Sequence, residues 1–176
     1  MRKIIAVIAV AAVLVAILGG LVLTFVDLPN LFPSKVPDQY VAVVKKAAKR
    51  CPVIPANILA AQIASESNWD PKAQSPAGAL GIAQFMPEVW DEHGIDADGD
   101  GKASVWNPVD AIHSAAELNC VNAELVADVP GDRINNILAA YNAGFNAVVK
   151  YDGIPPYPET QAYVKRIREL ANRITL

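Results

Sequence analysis

The chain has 176 residues, 53% of them hydrophobic and 19% charged, with 15 basic and 18 acidic side chains for a formal net charge of −3. That balance excludes a basic stripe of the kind that binds nucleic acid, so no nucleic-acid partner is expected, and it gives no pull toward an anionic surface. The two histidines, His93 and His113, form no ligand spacing with the two cysteines, which excludes a zinc site of the usual kind.

Met1-Arg2-Lys3 opens the chain with positive charge, and residues 4–26 follow without a charged side chain. A signal-peptide core is usually about 7–15 residues, whereas crossing a bilayer takes about 20. Residues 1–26 therefore read as a signal anchor contacting the membrane through residues 4–26, its basic end in the cytoplasm and the rest exported. A cleaved signal peptide, leaving a secreted protein, is the alternative. Residues 27–37, with Pro29, Pro33 and Pro37, read as an extended linker holding the domain 38–176 near the membrane. Setting aside Arg2 and Lys3, the exported part carries 13 basic residues against 18 acidic ones. Cys51 and Cys120 both lie in it, where an oxidising compartment permits a disulfide. Two separate buried thiols are the other reading.

From residue 38 onward the periodicity is helical, with proline or glycine at nearly every junction. Helices are expected over 38–49, 55–66, 87–93, 108–127, 132–143, 146–151 and 159–174. Alternating strand patterns are almost absent, so the class is all-α, with enough chain for one core. In the second helix Ile58, Leu59, Ile63 and Glu66 share a face, because residues three and four apart stack on one side. A carboxyl that continues an apolar stripe is costly to ionise, so its pKa rises and it stays protonated near neutral pH, as a general acid must. The plainer alternative is a helix-end acid turned to water.

Asp70-Pro71 stops that helix, and Ser75-Pro76-Ala77-Gly78-Ala79-Leu80-Gly81-Ile82-Ala83-Gln84-Phe85-Met86-Pro87 follows. Gly78 and Gly81 allow tight bends and close approach by a ligand. Gln84 offers both a donor and an acceptor, which suits sugar hydroxyls and acetamido groups. Next, Asp96, Asp98 and Asp100 alternate before Gly101, the opening of a calcium loop in which the Lys102 carbonyl would stand seventh and Ser104 ninth. The twelfth position holds Asn107 instead of the expected Glu, which predicts weak binding; Asp110 could substitute if the chain turns differently. A polar, turn-rich loop without an ion is the alternative. Asn107-Pro108-Val109-Asp110 reads as a cap, first-turn proline and acid opening a helix. Ala139-Ala140-Tyr141-Asn142-Ala143-Gly144 ends a helix, with Gly144 as its expected left-handed cap. Glu159-Thr160-Gln161-Ala162-Tyr163-Val164 stands near the C-terminus.

Taken together, the blocks around Glu66, Gln84, Tyr141 and Tyr163 resemble the catalytic domain of the soluble lytic transglycosylase family, related to goose-type lysozyme, over about residues 36–175. The resemblance implies a lysozyme-like single domain with a cleft floored by the Glu66 helix. It implies cleavage of peptidoglycan between N-acetylmuramic acid and N-acetylglucosamine, with Glu66 as the catalytic acid. Ser67, Gln84, Tyr141, Asn142 and Tyr163 are the candidates to orient that acid or the sugar, with substrate contact assigned to Gln84, Tyr141 and Tyr163. One departure is Ala83, where the family frequently has Met; a smaller side chain there is expected to loosen a groove wall.

In the mechanism so implied, Glu66 protonates the glycosidic oxygen, then takes the proton of the same sugar's C6 hydroxyl as it closes onto C1, leaving a 1,6-anhydro end. No cofactor is required, and a structural calcium is the one ion the sequence suggests. Expected partners are glycan strands, the membrane and other cell-wall enzymes. Two rivals share the fold. A hydrolytic muramidase needs a second carboxylate opposite the first, and Asp70, Asp91 and Glu92 carry no pattern that marks them for it. A non-catalytic wall-binding protein would have no use for Glu66.

Overall fold

Seven helices form among residues 34–176, the part of the chain that the computed structural model describes. They are α1 (Asp38–Ala48), α2 (Ala56–Ser67), α3 (Pro87–His93), α4 (Pro108–Leu125), α5 (Arg133–Ala143), α6 (Phe145–Lys150) and α7 (Pro158–Ala171). No strand forms among these residues, only isolated bridges, in keeping with the all-α expectation. The expected anchor at residues 1–26 and most of the expected linker lie outside the described residues. Within the described part no helix is long and apolar enough to cross a membrane.

The helix starts follow local chemistry. Pro87, Pro108 and Pro158 each stand at a first turn, where a missing N–H costs nothing. Asn107 accepts from the Val109 N–H at 2.9 Å and Asp132 from the Asn135 N–H at 2.9 Å, each cap contributing about 1 kcal/mol.

The central element is α2. Every residue from Ile58 to Ala64 is buried, so this helix is surrounded instead of presenting one apolar face. Ala60, Ala61 and Ala64 let its neighbours approach closely, and it packs against α7 on one side and α1 on another. Helices α4 and α5 pack on each other, and α5 also reaches α7, closing the core around α2.

Both chain ends of this region are tied to each other. The Thr175 N–H donates to Ser34 at 2.9 Å, and Val36 is fully buried. Ser34 and Val36, inside the segment 27–37, thus pack onto the helical domain. The same pairing explains why α7 stops at Ala171, short of the expected 174: the chain must leave the helix to reach Ser34. Gly144 differs from its expectation as well. Its φ of 80° with ψ of 142° lies outside the left-handed helical region, in positive-φ space that glycine enters readily, and turns α5 sharply into α6.

Cys51 and Cys120 are disulfide-bonded, with Cα atoms 5.4 Å apart at a sequence separation of 69. The bridge ties the segment after α1 to the middle of α4.

Candidate active site

Glu66 is the next-to-last residue of α2, and the helix ends there for a local reason. Asn68 takes the left-handed conformation (φ 53°, ψ 38°) and Trp69 follows at φ 69°, a backbone that asparagine tolerates better than most residues. Trp69 is held by stacking on Tyr40, ring centroids 5.6 Å apart. The turn leaves Glu66 at the floor of a cleft of about 300 Å³, opposite Gln84, Tyr141 and Glu159. The residue as a whole is half-buried, and loss of hydration at its carboxyl raises the pKa from 4.5 to about 7. The Tyr163 hydrogen bond and the Arg166 charge oppose the rise, while the Glu159 charge adds to it.

Behind Glu66 runs a string of buried polar groups. The Tyr163 hydroxyl donates to Glu66 Oε1 at 2.5 Å. The Gln62 amide donates to the Tyr163 oxygen at 3.4 Å, and the Asn119 amide donates to Gln62 Oε1 at 2.7 Å. Arg166 stacks over the Tyr163 ring and donates to the Ser65 hydroxyl at 2.7 Å.

One cleft wall is the loop between α2 and α3, contributing Ser75, Ala77, Ala79 and Gln84. The Gln84 side-chain N–H groups reach the carbonyls of Gly81 (2.9 Å) and Ala73 (3.3 Å), so its oxygen is the group left for the cleft. Gly81 sits at φ 74° with no room for a side chain, since a Cβ would run into the Val105 carbonyl oxygen. Gly81→Ala is therefore expected to cost at least about 2 kcal/mol through backbone strain and displacement of this wall, measured as a lower denaturant midpoint with an unchanged m-value.

The sequence-derived residues separate into two groups. Gln84, Tyr141 and Asn142 line the cleft with Glu66. Tyr141 donates its hydroxyl to the Ala83 carbonyl at 2.8 Å, and exposed Asn142 accepts from Thr160 at 2.7 Å. Ser67 and Tyr163 do not line it. The Ser67 hydroxyl donates to the Ile82 carbonyl at 2.7 Å and pins the loop, and Tyr163, 2% exposed, is spent on Glu66. Of the roles open to these two, Tyr163 takes contact with the acid and Ser67 contact with the loop. Ala83 is fully buried behind the wall, where its carbonyl receives the Tyr141 hydroxyl.

Three residues escaped the sequence reading. Glu159, exposed on α7, is a second carboxylate on the cleft. Gln62 was visible in principle as a polar residue one turn before Glu66 in an otherwise apolar stretch, and such groups are buried only with partners. Asn119, its partner on α4, carries no comparable signal.

The acidic loop brings Asp96 and Asp98 together with Asp110, one oxygen of each lying within 4.8 Å of the others. Asp100 is not one of these three carboxylates; its side chain accepts from the Lys102 N–H at 2.9 Å in an exposed turn. Ser104 donates its backbone N–H to Asp110 at 3.0 Å. Asp110, fully buried at the start of α4, also accepts from the Ala97 N–H at 2.8 Å.

Residues 43–164 match the family profile described as the transglycosylase SLT domain. Among curated proteins, the chain is 50% identical over 40 residues to membrane-bound lytic murein transglycosylase B of Escherichia coli, covering 23% of this chain and 11% of that one. It is 34% identical over 105 residues to membrane-bound lytic murein transglycosylase F of Salmonella arizonae, covering 59% and 19% respectively. The chain thus spans no more than a fifth of the length of these relatives. The 70 kDa soluble lytic transglycosylase Slt70 of Escherichia coli superposes with a TM-score of 0.58 at 25% identity, over 75% of this chain and 23% of that one. With the profile matched over most of its length, this chain belongs to the transglycosylase SLT domain family.

Proposed function

We propose that this protein is a peptidoglycan lytic transglycosylase in which Glu66 is the only group that moves protons. The observation that carries the reading is a cleft-floor carboxyl whose pKa of about 7 suits both donation and removal of a proton near neutral pH. Protonated Glu66 donates to the oxygen linking N-acetylmuramic acid to N-acetylglucosamine, and the C1–O bond breaks as the leaving sugar takes up that proton. The C2 acetamido group of the muramic sugar stabilises the cationic C1. Carboxylate Glu66 then removes the C6 hydroxyl proton as O6 bonds to C1, which restores the acid and yields the 1,6-anhydro end. The Gln84 oxygen, the Tyr141 hydroxyl and Asn142 are the cleft groups offered to the sugar.

Glu159 favours one rival. As a second carboxylate on the cleft it could activate water, giving hydrolysis and a reducing end. Digestion of purified peptidoglycan separates the two: the reading requires anhydro-muramic ends by mass spectrometry, from the wild type and from Glu159→Gln alike. Reducing ends that disappear in Glu159→Gln would install the muramidase instead.

The proposed place of action is outside the cytoplasm, at the membrane through residues 4–26. The Cys51–Cys120 disulfide supports export, because such bonds persist in oxidising compartments. The names of the two curated relatives, both membrane-bound, are in line with it.

A structural calcium is proposed on Asp96, Asp98 and Asp110. An all-oxygen donor set suits this hard cation, and a spread of 4.8 Å is within twice a calcium–oxygen bond of about 2.3–2.6 Å. Bound there, the ion would neutralise the acids and fasten the loop to the start of α4. Millimolar calcium is expected to raise the melting temperature over an EGTA-treated sample, and Asp110→Asn to erase the difference; equal melting in both samples would remove the ion from the account.

A further inference from the structure

The string behind Glu66 runs in one direction. Asn119 on α4 gives a hydrogen to Gln62 Oε1, which turns the other end of that amide, Nε2, toward Tyr163. The Tyr163 oxygen accepts it, so its own hydrogen is the one available to Glu66 Oε1. All three residues are buried, Asn119 and Gln62 fully and Tyr163 at 2% exposure, where each hydrogen bond made matters more than at the surface; the Asn119 Oδ1 at the far end of the string has no hydrogen-bond partner. They belong to three different helices, so α2, α4 and α7 must dock correctly before the string can form.

We infer that Gln62 and Asn119 are positioning residues that hold Tyr163 as a donor to Glu66 Oε1 and thereby keep the acidic proton on Oε2. An oxygen that accepts from Tyr163 is a poor place for a proton, so protonation falls on the other one. With Oε1 engaged from behind, Oε2 is the oxygen left to meet the sugar bridge. The inference rests on the proposed transglycosylase reading and adds where on the carboxyl the transferred proton resides. Loss of the Gln62 amide frees the Tyr163 hydroxyl to reverse and accept from a protonated Oε1, which points the acid away from the substrate.

Other groups around Glu66 also bear on its titration. Tyr163, Arg166 and Glu159 face it from α7 and Tyr141 from α5. Burial holds both tyrosines well above their ordinary values, so each remains a neutral hydroxyl throughout the working range.

The test is the titration of the Glu66 carboxyl carbon by NMR in wild type, Gln62→Met, Tyr163→Phe and the double variant. Gln62→Met is expected to titrate higher than wild type, because the hydrogen bond favouring the carboxylate is weakened. In the Tyr163→Phe background the same change is expected to add nothing, since Gln62 acts through the hydroxyl. Turnover in Gln62→Met should fall about tenfold with KM unchanged, the size of one well-placed hydrogen bond. An unaltered Glu66 titration in folded Gln62→Met, or an equal shift with and without the Tyr163 hydroxyl, would overturn the assignment. If Gln62→Met does not fold, Gln62→Met/Asn119→Leu removes both partners without stranding a buried amide and is held to the same expectation. The titration needs no turnover, so a protein that fails to cleave peptidoglycan would refute the functional reading while leaving this result to stand or fall alone.

Discussion

Glu66→Gln is expected to fold normally and to lose peptidoglycan cleavage by roughly 10³-fold or more, since general acid–base steps each supply about 10²–10⁴ and one residue serves both. Glutamine keeps an oxygen for the Tyr163 hydroxyl, so the cleft floor retains its shape. The pH profile of the wild type follows from the same group. Glu66 must begin protonated, so kcat/KM should fall with a one-proton slope as pH rises through about 7. Stability carries the opposite signature for the variant. The folded-state pKa is raised from 4.5 to about 7, so this residue's contribution is fully present below pH 4.5 and lost as pH climbs through 7. Above pH 7 the wild type holds a poorly hydrated carboxylate and the variant does not. Glu66→Gln should then be the more stable protein by about 1–2 kcal/mol, after allowing for water in the cleft, with the difference gone in acid. Thermal unfolding at pH 4 and pH 8 checks this; a variant less stable than wild type at pH 8 would contradict the burial argument.

The largest single stability effect is expected at the disulfide. It closes a loop of 69 residues, worth about 4 kcal/mol through restriction of the unfolded chain. Cys51 is fully buried in the core, so Cys51→Ala/Cys120→Ala also loses some packing. For a domain of this size the melting temperature should drop by roughly 10 °C. Calorimetry of the double alanine variant beside the wild type measures it, and a drop of only a degree or two would show that the bridge closes little that the core has not already fixed. The bridge ties α4, which carries Asn119, to the segment leading into α2, which carries Gln62 and Glu66. Its loss should therefore reduce activity at temperatures below unfolding.

How much of this could be read from the chain depended on the range of the interaction. Helix starts were legible because Asn107-Pro108, Asp132 and Pro158 act on their own neighbours. Glu66 was legible because an acid at the end of Ile58-Leu59-Ile63 breaks a local pattern. What escaped is what only packing decides. Whether Tyr163 meets the sugar or the acid depends on how α7 lies against α2, and the Ala83 carbonyl is held by Tyr141, 58 residues away. Asp110 joins Asp96 and Asp98 because the loop folds back over the start of α4, the different turn that linear spacing offered only as an alternative. Glu159 sits in a block that was noticed for its tyrosine, and nothing in its spacing announced the cleft.

The central claim, one carboxyl returning its proton with no water consumed, is tested most directly by digesting peptidoglycan in water enriched in oxygen-18. Ring closure by the sugar's own O6 predicts products without the heavy isotope at C1 and lighter by one water than hydrolytic fragments. Oxygen-18 at C1 would mean that water attacked the glycosyl cation, and the acid-then-base cycle assigned to Glu66 would be wrong.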